Sequence, residues 1–225
     1  MDSDLLNSSL SVRPATTADA RAIADVAFET AFFGASAAVF FPCPELFGEL
    51  WVQPYLHAGH GHVAVTQAGK VVGYCVGVDQ PTDYARGLLA RLPRTVAALA
   101  RCGCSPGWRT ALRYGWRALR FRTPAAPARI YPAHLHLALL PASRGGGAGR
   151  ALLSAFLTAA AARGVQGLQL STTAGHVAAV NLYLSSGFEQ WAAGASPLWR
   201  PWTGHDETHL TLVTALGTGS RPVSG

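Results

Sequence analysis

The chain has 225 residues, 49% of them hydrophobic and 13% charged, with a formal net charge of +6. That length and balance suit one globular domain, or one with a sizeable insertion, and exclude a disordered chain. No apolar run is long enough to span a bilayer and the first residues carry acids where a secretion signal carries bases, so cytoplasm is the expected compartment.

In chain order, residues 1–9 read as a flexible leader and 10–13 alternate as a short strand. Thr16-Thr17-Ala18-Asp19 offers a capping box for a helix over about 18–32, with Ile23, Val26, Ala27 and Ala31 as its apolar stripe. Pro44 can start a second helix running to about Gln53, where Pro54 ends it. His57, His60 and His62 invite a metal, yet they sit in a glycine-containing loop entering a strand; a solvated turn is expected, and no metal. Residues 62–66 and 71–78 form a hairpin about Gln67-Ala68-Gly69-Lys70, and the second strand is nearly all apolar, as a central strand is. Cys75 in that strand reads as core. Cys43, Cys75, Cys102 and Cys104 show no zinc spacing, and Cys102-Gly103-Cys104 is too close for a disulfide framework, so reduced thiols are expected.

Residues 81–129 are longer than a link between strands needs. Ten arginines stand there against the one acid Asp83, a net of +9, which leaves −3 for the rest of the chain. Leu89, Leu92, Val96 and Leu99 mark one helix, kinked or divided at Pro93; Trp108, Leu112, Trp116 and Leu119 mark the next, beside a face of Arg109, Arg113, Arg117 and Arg120. A helical pair packed on the sheet with a solvated arginine face is expected. A lid meeting an anionic acceptor or phosphates, and a membrane-surface or nucleic-acid patch, stay open.

Residues 131–140 read as a fourth strand, in which His134 and His136 share one face. Pro141-Ala142-Ser143 leads to Arg144-Gly145-Gly146-Gly147-Ala148-Gly149-Arg150, and a helix with Leu152, Leu153, Phe156, Leu157 and Ala160 on one side follows. Four glycines at the mouth of a helix expose unsatisfied main-chain N–H groups, and the helix dipole and two arginines add positive potential: a phosphate cradle. Arg150-Ala151 replaces the Lys-Ser/Thr of a nucleoside-triphosphate loop, and the dinucleotide fingerprint lacks its third small residue and its later acid. A fifth strand over 167–171, a helix over 175–186 and closing strands over 188–193 and 208–216 complete the chain before a tail.

Arg-x-x-Gly-x-Gly from Arg144 to Gly149, and Leu182-Tyr183-Leu184-Ser185-Ser186-Gly187-Phe188 one helix, strand and helix later, together resemble the GNAT acyltransferases. The opening Val12-Arg13-Pro14-Ala15-Thr16 fits as well, so the resemblance covers residues 10–216, with 217–225 as a tail. It implies an α/β (α+β) GNAT fold: a central mixed, mostly antiparallel sheet of about seven strands, splayed between strands 4 and 5, flanked by helices, with a helical insertion at 81–129 between strands 3 and 4. Tyr131-Pro132-Ala133-His134-Leu135-His136 resembles a subgroup that includes bacterial relatives of the acetyltransferase-like domain attached to O-GlcNAcase; an acid is expected there where this chain has Ala138.

The resemblance implies N-acetyl transfer from acetyl-coenzyme A, as cosubstrate, to a small-molecule or peptide amine, with no nucleic acid and no membrane span. A second copy of the chain is an open partner, and a catalytically inactive coenzyme-binding module is the alternative that Ala138 supports. Arg144, Gly145, Gly146, Gly147, Ala148, Gly149 and Arg150 would hold the pyrophosphate. Leu139 and Leu140 would offer main-chain contacts to pantetheine and an N–H to the developing oxyanion. His176 stands where the family commonly has Asn. Tyr183 would protonate the departing sulfur, and His136 is the first choice for general base, with Glu29 behind it.

Overall fold

A computed structural model describes residues 10–216; the leader assigned to 1–9 and the tail assigned to 217–225 lie outside the described residues. Seven strands make one sheet: β1 (Ser11–Pro14), β2 (His60–Val65), β3 (Val71–Val78), β4 (Ala133–Leu139), β5 (Gly167–Thr173), β6 (Glu189–Ser196) and β7 (Glu207–Ala215), in the order β1-β2-β3-β4-β5-β7-β6. Every neighbouring pair is antiparallel except β4–β5. All eight residues of β3 are buried, as its unbroken apolar run requires of a strand covered on both faces.

The helices are α1 (Ala20–Thr30), α2 (Pro44–Trp51), α3 (Gln53–Ala58), α4 (Pro81–Ala90), α5 (Leu92–Gly103), α6 (Trp108–Arg120), α7 (Ala148–Ala162), α8 (Val177–Ser185) and α9 (Arg200–Thr203). One core, with Ile23, Phe40, Phe47, Tyr74 and Val76, lies on the α1–α2 side of the sheet. The other, with Cys75, Leu135, Leu153, Phe156 and Tyr183, lies on the α7–α8 side. The capping box forms: Asp19 accepts from the Thr16 N–H at 2.8 Å and takes a paired contact from Arg13. α2 starts at Pro44 as expected and ends at Trp51, just ahead of Pro54, which occupies the first turn of α3, where its missing N–H costs nothing.

The splay that positions the site follows from β-pairing. β4 stays paired with β3 as far as Leu139, opposite Gly73, but meets β5 only at Ala133–Leu168 and His134–Gln169. Beyond His134 the two parallel strands part, while β5 continues against β7 to Thr173 opposite His209.

The helix marked by Leu89 to Leu99 is divided, one of the two outcomes expected at Pro93: the chain breaks at Arg91 and Pro93 falls in the first turn of α5, so the insertion has three helices. Two other expectations are corrected. Cys43 and Cys102 form a disulfide, with Cα atoms 5.6 Å apart, so the expected reduced state holds only for buried Cys75 and exposed Cys104. The pair joins the start of α2 to the end of α5, which are brought together by packing across 59 residues of sequence and by the Arg91–Glu49 ion pair. Finally, Leu89, Leu92, Val96, Leu99, Leu112, Trp116 and Leu119 face outward instead of packing on the sheet. The insertion buries a different set, Ala98, Cys102, Ala111 and Tyr114.

Candidate active site

A cavity of about 930 Å³ runs through the gap between β4 and β5. At one end stands the glycine turn. Gly147 caps α7 with φ +83°, a left-handed conformation that a Cβ would strain. Gly149 sits where a Cβ would lie 3.2 Å from Leu139 Cδ1 and from Leu182 Cδ2, so its bareness lets the mouth of α7 close onto β4 and α8. The first N–H groups of α7 have no acceptor within the helix, and the turn's main chain faces open space. Arg144 donates to the carbonyls of Leu139 and Gly34, each at 3.0 Å, and Arg150 donates to Ser185 Oγ at 3.0 Å. Neither meets a carboxylate among the described residues, so both charges are free to act on a ligand. A diphosphate fits this cradle of bare amides and unneutralised guanidiniums.

The structure brings Leu139, Arg144, Gly145, Gly147, Gly149, Arg150 and His176 to the cavity wall, together with Tyr183 and His136. Gly146 does not line it, and Ala148 is buried against the core. Leu140 is corrected as a main-chain donor: its N–H is taken by Val72 O at 2.9 Å. Because N–H groups alternate along a strand, those of Leu139 and Leu137 point instead toward the unpaired β5 side. Leu137 was missed because register cannot be read from the apolar run alone. Glu29 is exposed on α1 and lies off the cavity, so the structure does not bring it to the site.

Tyr183 is buried on α8 against Phe188, with ring centroids 5.5 Å apart, and lines the cavity. Burial raises its phenol well above the ordinary value, which keeps it a neutral proton donor. His136 lies on the opposite side of β4 from Leu135 and Leu137. Its Nδ1 is 2.6 Å from Tyr74 Oη and its ring stacks on that of Tyr74. Burial, with a smaller contribution from His134, pushes the imidazole down to about 4. It is therefore neutral across the physiological range. Proton acceptance at Nε2 requires the tautomer in which Nδ1–H donates to the Tyr74 oxygen.

Sequence reasoning missed the other imidazole. His209 on β7 is buried, lines the same cavity, and has Nδ1 2.8 Å from Thr123 Oγ1 while its Nε2 has no partner. It lies across β5 from His136, and no local motif marks it. Around these two groups the wall is aromatic: Phe33, Phe40, Phe47, Trp51, Tyr114 and Trp199. Phe40 and Tyr114 have ring centroids 4.5 Å apart, Phe40 and Trp199 4.9 Å. Phe33 holds φ +51° and reaches both Trp199 and His176, at 5.5 and 6.0 Å, roofing the gap. Arg144 and Arg150 are the charged side chains of the lining, and no carboxylate joins them among the described residues.

The three histidines before β3 do not form the expected solvated turn. His57 is exposed on α3, whereas His60 and His62 are strand residues of β2. His60 meets Asp79 at 2.8 Å, stacks on Phe156 and contacts Arg163. Among the described residues no group of three or more His, Cys, Asp or Glu could hold a metal ion.

Residues 30–188 match the acetyltransferase (GNAT) family. Among solved structures, the chain is similar to SsHAT at 24% identity and TM-score 0.62, covering 93% of this chain and 99% of that one. A phosphinothricin acetyltransferase of Sinorhizobium meliloti, in complex with acetyl-coenzyme A, aligns at 20% identity and TM-score 0.57, over 96% and 94%. A GCN5-related N-acetyltransferase of Kribbella flavida aligns at 21% and 0.56, over 92% and 97%. Likeness at these identities carries the fold, which is the mixed, mostly antiparallel seven-stranded GNAT sheet with its parallel β4–β5 pair.

Proposed function

The chain belongs to the acetyltransferase (GNAT) family, and from that premise we propose that it moves an acetyl group from acetyl-coenzyme A to the amino group of an aromatic or apolar acceptor. One continuous cavity carries the proposal: it joins the bare-amide turn at Gly147 to an aromatic chamber holding Tyr183 and His136. The coenzyme, when bound, supplies an activated thioester. Gly145, Gly147, Gly149 and Arg150, the members of the turn that line the cavity, bind its diphosphate, and the Leu139 N–H, turned into the splay, donates toward developing negative charge. Tyr183 gives a proton to the departing sulfur.

The acceptor's nature follows from what the chamber withholds. Among the described residues its lining has no carboxylate to bind an ammonium, and its two arginines, Arg144 and Arg150, stand at the turn, where they face the diphosphate. His136, held at about 4, is always ready to accept a proton but is too weak a base to strip a strongly basic alkylammonium. Weakly basic amines that arrive uncharged, arylamines above all, match both features. The finer likeness to bacterial relatives of the O-GlcNAcase-attached domain rests on residues 131–136 and belongs to this proposal.

A thiol-release assay over aryl, arylalkyl and charged amines, run beside calorimetry with acetyl-coenzyme A, tests it. Turnover with aromatic amines is expected. Coenzyme binding with no turnover on any amine would favour the non-catalytic module, and absence of binding would overturn both.

A further inference from the structure

The insertion carries an apolar surface that the core does not use. On α6, Ala111 and Tyr114 are buried, whereas Leu112, Trp116 and Leu119 are 62%, 62% and 69% exposed. With Trp108 they recur at helical spacing, so they form one stripe, and Arg109, Arg113 and Arg120 run along its edge. On α5, Leu92, Val96 and Leu99 are more than half exposed while Ala98 and Cys102 face inward. Of the twelve large exposed hydrophobics among the described residues, eight lie between Leu89 and Leu119. Single exposed apolar residues are ordinary; a concentration of this kind marks an interaction surface.

Charge identifies what covers it. Arg86, Arg91 and Arg101 pair with Asp83, Glu49 and Glu45, and Arg117 donates to the carbonyls of Pro197 and Leu198. The other six arginines of the segment, including those edging the stripe, meet no carboxylate among the described residues. A second copy of the chain docked symmetrically would bring this cationic face against itself, and like charges across an interface oppose association. Nucleic acid would satisfy the arginines and leave the stripe in water. A lipid headgroup layer satisfies both, since phosphates meet guanidiniums while Trp and Leu reach the acyl boundary. α6 has 13 residues, about 20 Å of helix, and no helix among the described residues is long and apolar enough to cross a membrane.

We propose that α6 forms a docking face for an anionic phospholipid membrane surface, lying in the interface plane. Tyr114 of the same helix lines the aromatic chamber, so docking sets that chamber beside the lipid.

The test is flotation of the full chain with vesicles of phosphatidylglycerol and phosphatidylcholine in equal amounts, against vesicles of phosphatidylcholine alone. Binding to the anionic vesicles, weakened by salt, is expected. Each of Arg109→Gln, Arg113→Gln and Arg120→Gln should lower partitioning by about fivefold. Leu112→Gln with Leu119→Gln should abolish it, and because both side chains are exposed the melting curve should not move. Absence of anionic binding, equal binding to neutral vesicles, or indifference to these substitutions would overturn the proposal. So would a dimer, seen by light scattering, that Trp116→Gln dissociates.

Discussion

Replacing Gly147 by valine separates phosphate recognition from folding. The residue caps α7 at φ +83° and an added Cβ would meet nothing within 4 Å, so the substitution costs backbone strain without a Cβ clash and adds bulk beside the amides at the cavity wall. Backbone strain costs about 1–2 kcal/mol, which for a chain of this size lowers Tm by roughly 2–4 °C per kcal/mol. Loss of two hydrogen bonds to a charged diphosphate, at about 1.5 kcal/mol each, comes to about 3 kcal/mol, or about a 150-fold rise in Kd for coenzyme A. Calorimetric titration with coenzyme A beside thermal unfolding reads both effects. Gly146→Ala is the control: it lies off the cavity and outside the positive-φ set, and should change either quantity by less than about 0.5 kcal/mol. A folded Gly147→Val protein with a Kd within about threefold of the parent would refute the turn as the diphosphate site.

Tyr183→Phe should lower kcat by about 100-fold with little change in coenzyme affinity, measured by thiol release and calorimetry; an unchanged kcat would make Tyr183 a packing residue only. His136 has a folded pKa below its unfolded value, so the unfolded chain binds the extra proton and stability falls as pH drops from about 6.5 to about 4; denaturant titrations of His136→Gln should lose that slope. Asp19, held at about 2 by the Arg13 guanidinium and by Thr16, contributes stability above the ordinary carboxylate range that is lost as pH falls through about 2. Asp19→Asn should therefore cost about 2 kcal/mol at neutral pH in urea unfolding. Reducing Cys43–Cys102 frees 59 residues of closed chain and should cost up to about 4 kcal/mol, read as a reductant-dependent shift of the unfolding midpoint; no shift would mean that α5 is held by packing alone.

The sequence by itself determined what local stereochemistry encodes. Gly147 and Gly149 at a helix mouth imply a bare-amide turn wherever the helix lies, and His134 and His136 two apart on a strand share a face in any register. The strand-turn-helix order around Gly147, followed by the helix of Tyr183 leading through Gly187-Phe188 into a strand, carried the fold. Tertiary structure alone decided what depends on partners distant in the chain. β4 leaves β5 after His134, which turned the Leu139 N–H into the gap and spent that of Leu140 on Val72. His209 and Thr123 meet across 86 residues, and Cys43 and Cys102 across 59. The insertion shows why periodicity falls short. α6 has apolar residues on two sides, small Ala111 with Tyr114 on one and Trp108, Leu112, Trp116 and Leu119 on the other, and a periodic pattern marks a stripe without saying which way it faces. The direction was fixed by which side chains close against Phe40, Trp51 and Trp199, a matter of shape and packing that no window of neighbouring residues contains.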